Sequence, residues 1–189
     1  MCPSSPINFK KEIDINEQFK FIATIGKGAY GNVFLVEQAN DLNDPKKVYA
    51  IKVLKFMDNY KTKAEKDEHI KNLTWELQIM EQLQGSEYIV KLHGNVFQKG
   101  NFYFLMEYIN GGDMFFHIRK AKYFTNERAR YYAAELVLAI EFMHFNGVIY
   151  RDLKPENVLI DNEGHIKIID FGLSNYKELK LTSVSQGDN

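Results

Sequence analysis

The stretch Tyr150-Arg151-Asp152-Leu153-Lys154-Pro155-Glu156-Asn157 constrains this chain more than any other. It gathers an acid, an amine and an amide within one short run. Two segments rich in β-branched residues follow, Val158-Leu159-Ile160 and His165-Ile166-Lys167-Ile168-Ile169, joined by the turn formers Asp161-Asn162-Glu163-Gly164. That pattern predicts a hairpin. A second acid comes directly after it, in Asp170-Phe171-Gly172. Loop, hairpin, acid is a geometry that can hold a divalent metal beside a positioned carboxylate. A nucleotide is the ligand to look for upstream.

Upstream, Phe19 to Ile25 reads as a strand running into Gly26-Lys27-Gly28-Ala29-Tyr30-Gly31-Asn32-Val33, and Val33 to Val36 leaves it as a second strand. A dinucleotide-binding glycine loop would instead open a helix, and a Walker loop would end in Gly-Lys-Ser/Thr before one. A third strand, Val48 to Leu54, is apolar except where Lys52 interrupts it. From Lys63 to Leu83 the period becomes helical: Ile70, Leu73, Leu77, Met80 and Leu83 recur at steps of three and four, and Gly85 stops the run. Glu76 falls on the face of Leu73 and Met80, where an acid calls for a cationic partner, and Lys52 is the candidate. Two more strands, Ile89 to Phe97 and Phe102 to Ile109, precede a break at Asn110-Gly111-Gly112. After it come a short helix, Asp113 to Lys120, and a long one capped by Thr125 and closed by Gly147. Its expected buried stripe is Ala129, Tyr132, Ala133, Leu136, Val137, Ile140 and Met143.

Composition excludes several classes. The 189 residues carry a formal net charge of -1, so no electrostatic nucleic-acid binder is expected. The single cysteine, Cys2, rules out an intrachain disulfide framework or cysteine zinc site. No apolar run approaches a membrane span, and the N-terminus lacks a signal-peptide core. These features place the chain inside the cell, in the cytoplasm or nucleus. Residues 1–8 are proline- and serine-rich and expected to be loose.

Taken together, GKGAYGNV at 26–33, VYAIK at 48–52, Glu76 on the next helix, YRDLKPEN at 150–157 and DFG at 170–172 resemble the eukaryotic protein kinase signature set, in order and on the expected elements. Tyr150 in place of histidine, MEYINGGDMFFHI at 106–118 and DFGLS at 170–174 resemble the AGC group of serine/threonine kinases, nearest the mitogen- and stress-activated kinases. The resemblance implies an α+β, protein-kinase-like fold. A flexible segment, 1–18, would precede an N-lobe and hinge, 19–109, with a five-stranded antiparallel sheet and one helix. A mainly helical C-lobe, 110–189, would follow.

The same resemblance implies the chemistry, with ATP and Mg2+ as the ligands. Gly26, Gly28 and Gly31 would let backbone approach the phosphates, within a nucleotide-contacting loop of Ile25, Lys27, Ala29, Tyr30, Asn32 and Val33. Lys52 would hold the α and β phosphates, oriented by Glu76; Asp170 and Asn157 would bind the metal. Asp152 would accept or orient the substrate hydroxyl proton, and because carboxylates are weak bases, positioning is its larger contribution. Lys154 would meet the transferring phosphate. The adenine would lie between Val33 and Ala50 above and Leu159 and Met114 below, with Met106 as gatekeeper. Glu107 to Ile109 would offer backbone bonds, and Asp113 would reach the ribose. Met80, Leu92, Tyr150 and Phe171 match the family's regulatory spine.

Departures are also legible. The chain ends at Asn189, soon after Gly172, so a C-terminally truncated domain with an incomplete C-lobe is expected, and with it exposed apolar surface on the 126–145 helix. Two readings therefore stay open: a protein serine/threonine kinase, or a catalytically silent nucleotide-binding or regulatory fragment. Asn72, four residues before Glu76, lacks the charge that the group often places there, and His69 is a turn further off. Thr182, Ser183 and Ser185 read as polar loop filler or modification sites. Expected partners are a protein substrate basic N-terminal to its target residue, near Glu156 and Asp113, and an upstream activating kinase.

Overall fold

The computed structural model describes residues 14–28, 31–39, 47–55 and 62–176. Ala29, Tyr30, Cys2, Thr182, Ser183 and Ser185 lie outside the described residues. A one-turn helix, α1 (Ile15–Gln18), capped by Asp14, buries Ile15 and leads into β1 (Phe19–Lys27). Then come β2 (Gly31–Gln38), β3 (Val48–Lys55), α2 (Lys63–Gln82), β4 (Leu92–Gln98) and β5 (Asn101–Glu107). The five strands form one antiparallel sheet in the order β1-β2-β3-β5-β4. Strict alternation decides the faces. In β5, Phe102, Phe104 and Met106 point at α2 and bury there, whereas Tyr103 and Leu105 join Val36, Ile51 and Phe19 on the opposite face.

Strand β4 begins three residues later than the sequence predicts. Ile89 instead makes a parallel bridge to Ile168, with Val90 N–H donating to Ile168 and Ile168 N–H to Tyr88. An apolar run signals burial but not which partner it pairs with, and here the partner is almost eighty residues downstream.

The second half holds α3 (Met114–Ala121), α4 (Asn126–Phe145), β6 (Val148–Ile149), the β7–β8 hairpin (Val158–Ile160, Ile166–Ile168) and β9 (Asn175–Tyr176), which pairs with β6. Asp113 and Thr125 cap α3 and α4 through the Phe116 and Arg128 amides, and Gly147 leaves α4 at φ 72°. One core runs through both halves, from Leu77, Met80 and Phe104 to Met143, Ile166 and Phe171.

The α4 stripe differs from expectation. Tyr132, Glu135, Ala139 and Met143 are buried and Leu136 and Ile140 partly so, whereas Ala129, Ala133 and Val137 are exposed, Val137 by 64%. The helix is rotated towards an acid. Glu135 is buried because its carboxylate accepts the Ile166 amide at 2.9 Å and meets His165 Nδ1 at 2.6 Å. Buried charge is tolerated when it is paired in this way. Apolar surface is exposed on α4, as the sequence predicts, but it is formed by Leu138, Phe145 and Val137, the last of which belongs to the expected buried stripe.

Candidate active site

The loop between β6 and β7 is closed on itself. Asp152 Oδ2 accepts from Lys154 Nζ and from Asn157 Nδ2, each at 2.7 Å, and Asn157 Nδ2 also donates to the Asp152 carbonyl at 3.0 Å. The Asn157 amide nitrogen donates to the Lys154 carbonyl, and its carbonyl accepts from Ile169, so Asn157 is buried at the mouth of the β7–β8 hairpin. Arg151, at φ 65°, and Asp170, at φ 61°, both occupy the left-handed region. Such backbone costs a non-glycine residue on the order of 1 kcal/mol and persists where surrounding contacts fix it. Those contacts are present: Arg151 Nε donates to the Leu173 carbonyl at 2.7 Å, and the Ser174 hydroxyl to the Tyr150 carbonyl at 3.1 Å. Asp152 keeps one oxygen free of these bonds.

On β3, Lys52 reaches two carboxylates at once, 2.6 Å from Glu76 and 2.8 Å from Asp170. Burial works against the Lys52 cation, but the two acids outweigh it and hold its pKa above the ordinary lysine value. Burial pushes the Glu76 carboxyl up, with Lys52 opposing it. Asp170 ends below the usual carboxylate range, since Lys52, its hydrogen bond, the Gly172 amide and Lys154 overcome its partial burial. The pair Lys52–Glu76 expected from sequence is therefore formed, and Asp170 joins it. Asp152 and Lys154 belong to the same neighbourhood: Asp152 and the Asp170 charge both raise the Lys154 pKa.

At the glycine loop the ends of β1 and β2 are tied by Gly28 N–H to the Gly31 carbonyl at 2.8 Å. Gly31 has a second reason to lack a side chain. A Cβ there would sit 2.1 Å from the Val53 carbonyl of β3, so the requirement comes from the sheet as well as from any ligand above it. Register brings Val33 opposite Lys52, Leu35 opposite Ala50, and Ala50 opposite Met106. Ala50, Met106, Ile109 and Met114 are buried in the common core, with Val33 and Leu159 packed against it. Ile25, Lys27, Gly26 and Asn32 line the loop strands, with Ile25 exposed. Asp113 spends one oxygen on the Phe116 amide, at 2.6 Å, and pairs with Leu159 through backbone.

Three contacts were not expected from sequence. Glu107 accepts the Lys91 amide at 2.7 Å and lies 3.5 Å from Lys167 of β8, tying the end of β5 to the hairpin. Glu135 with His165 fastens α4 to the same hairpin. Arg151 holds the segment after Gly172. Each joins residues more than fifteen apart, and no local pattern announces such a pair.

For a metal, the donor set is Asp170 and Asn157, which end adjacent arms of one hairpin. With the Asn157 NH2 committed to Asp152, its side-chain oxygen Oδ1 is the atom left for a hard cation. No group of three or more His, Cys, Asp or Glu gathers among the described residues. The pair suits an ion such as magnesium, which keeps waters and shares phosphate ligands rather than filling an all-protein cage.

A family profile described as protein kinase domain matches residues 19–187. The chain is 37% identical over 169 residues to the probable cAMP-dependent protein kinase catalytic subunit of Encephalitozoon cuniculi, covering 89% of this chain and 50% of that protein. It is 40% identical over 181 residues to human ribosomal protein S6 kinase alpha-2, covering 87% and 23%. It is 41% identical over 155 residues to the RAC family serine/threonine-protein kinase homolog of Dictyostelium discoideum, covering 82% and 33%. The chain thus spans half or less of the length of these relatives.

Proposed function

The chain belongs to the protein kinase family, within its AGC group, and on that premise we propose that it transfers the γ-phosphate of ATP to serine or threonine hydroxyls of protein substrates. The observation that carries this reading is the junction at the mouth of the β7–β8 hairpin. There Lys52 joins Asp170 to Glu76 on one side, while Asn157 grips Asp152 on the other.

Phosphoryl transfer needs alignment and charge neutralisation more than covalent help. Lys52 is the fixed cation for the α and β phosphates, and Glu76 sets its direction. Asp170 and the Asn157 side-chain oxygen would hold magnesium, which would supply charge neutralisation on the phosphates. Asp152, clamped by Lys154 and Asn157, orients the substrate hydroxyl and receives its proton. Lys154 carries the charge that meets the transferring group. The loop from Ile25 to Val33 covers the phosphates. Ala50, Met106, Leu159 and the backbone of Glu107 and Ile109 would hold the base, and the second oxygen of Asp113 would bond the ribose. Exposed Glu156 favours a basic residue N-terminal to the target. No described helix is long and apolar enough to cross a membrane. We place the action in the cytoplasm or nucleus, with an upstream kinase as activator.

The test is phosphate transfer from Mg-ATP to a serine/threonine peptide library by the full chain. The reading requires transfer that depends on Mg2+, prefers basic flanks and disappears in Asp152→Ala and Lys52→Met. A chain that is stabilised by Mg-ATP yet transfers no more than Asp152→Ala contradicts it, and would leave a nucleotide-binding module in its place.

A further inference from the structure

Trp75 is the chain's single tryptophan and directly precedes Glu76 on α2. Its indole stacks on Tyr176 of β9, with ring centroids 6.0 Å apart and planes 29° from parallel. Lys71, one turn earlier, places its ammonium 4.8 Å from the centre of the indole. The indole N–H is buried and has no hydrogen-bond partner. Buried N–H groups normally find one, so the position of this ring is set by its stack and packing, not by a polar contact. Both rings pack against the common core.

What Tyr176 belongs to gives the stack its meaning. It lies four residues after Gly172, and β9 is held to β6 by the pairing of Tyr176 with Val148, which is wholly buried. Between Asp170 and Tyr176 the chain is pinned by Ser174 N–H to the Phe171 carbonyl, by the Ser174 hydroxyl and by Arg151. Helix α2 grips the two ends of this short segment with consecutive residues. Glu76 meets the first end through Lys52, and a Cβ added at Gly172 would lie 3.6 Å from Glu76 Oε2. Trp75 meets the second.

We propose that Trp75 and Tyr176 are positioning residues: their stack fastens α2 to the segment after Gly172 and so keeps Glu76 within reach of Lys52 and Asp170. Glu76 is one residue from the stack on a rigid helix, so a rotation that parts the rings also swings its carboxylate off the lysine. The clamp is aromatic and contains no anion. It fastens the helix without a charged group on β9, which suits a helix carrying Asn72 rather than a cation one turn before Glu76. Its consequence for catalysis rests on the kinase reading above; the clamp itself does not.

The single tryptophan makes the stack directly observable. In Tyr176→Leu, which keeps apolar volume but removes the ring, Trp75 emission should move to the red and acrylamide quenching should rise about twofold or more, since the indole loses its cover. Tyr176→Phe should behave as the parent. A double-mutant cycle of Tyr176→Leu with Glu76→Gln, read from the unfolding equilibrium, should show coupling of about fivefold or more. If transfer is detected, Tyr176→Leu should lower kcat about tenfold with the ATP KM held within about twofold, and Tyr176→Phe should restore it. Unchanged emission in Tyr176→Leu, or additivity of the two substitutions, overturns the proposal. Absence of transfer in every variant, parent included, counts against the kinase reading alone, because emission and coupling are measured without turnover.

Discussion

Replacing Lys52 with methionine removes a cation that faces two carboxylates, and the two acids have different recourse. The Asp170 side chain is 47% exposed and can be solvated, whereas that of Glu76 is 6% exposed and cannot. A buried charge stripped of its partner costs about 3–5 kcal/mol. Lys52 is itself mostly buried, and removing it relieves its own desolvation, so a loss of about 3 kcal/mol near neutral pH is expected. Glu76 can reduce that loss by taking up a proton. Burial already raises its pKa and Lys52 opposes the rise, so in Lys52→Met the rise is unopposed. The sign follows. A folded pKa above the unfolded one means that the folded state binds more protons, so stability is present at low pH and is lost as pH rises towards the folded pKa. One proton corresponds to about 1.4 kcal/mol per pH unit. Urea unfolding at about pH 7.5, 6.5 and 5.5 should therefore show the gap between parent and Lys52→Met narrowing as pH falls, by no more than about 1.4 kcal/mol per unit. Glu76→Gln in the same background should remove the slope. A gap of the same size at all three pH values, or none, refutes the claim that Lys52 is the electrostatic partner of a buried Glu76.

Gly31→Ala places a methyl group on the Val53 carbonyl and should lower stability by roughly 2 kcal/mol, seen as a lower melting temperature even without nucleotide. Asn157→Ala removes its two hydrogen bonds to Asp152, leaving Lys154 as the remaining partner, and leaves a cavity in a buried site; a drop in transfer of about tenfold or more is expected, with a higher magnesium requirement in a Mg2+ titration. His165 has its pKa raised, first by the hydrogen bond its ring donates to the Glu135 carboxylate, against partial burial. That contact therefore stabilises fully below the unfolded histidine pKa and is lost as pH rises through the folded one. NMR titration should show the raised pKa fall back in Glu135→Gln, and the pH dependence of melting above neutrality should flatten with it.

What was legible in the sequence was local or followed a period. The helix cap at Thr125, the five strands, the glycine loop and the loop from Arg151 to Asn157 each carry their own signal in adjacent residues. Lys52 and Glu76 were also legible, because a charge on an otherwise apolar face demands a partner. What escaped was pairing across distance. Ile89 looked like the start of β4, since apolar character does not say that its neighbour is Ile168. Glu135 is outside the stripe expected for α4, because His165 and the Ile166 amide that bury it are about thirty residues away. No local pattern marks Trp75; only the course of β9 shows that Tyr176 lies against it. At Gly31 the residue was noted and one cause was missed, since the Val53 carbonyl is brought there by the β2–β3 register.

The central claim is that Asp152 is placed to act on a hydroxyl beside a nucleotide held by other residues. Single-turnover transfer to a peptide at saturating Mg-ATP, for the parent and Asp152→Ala, measures it most directly. Nucleotide affinity should be equal in the two proteins, and the transfer rate of Asp152→Ala should fall by about 100-fold or more. Equal transfer rates, or a nucleotide affinity lost together with transfer, would contradict it.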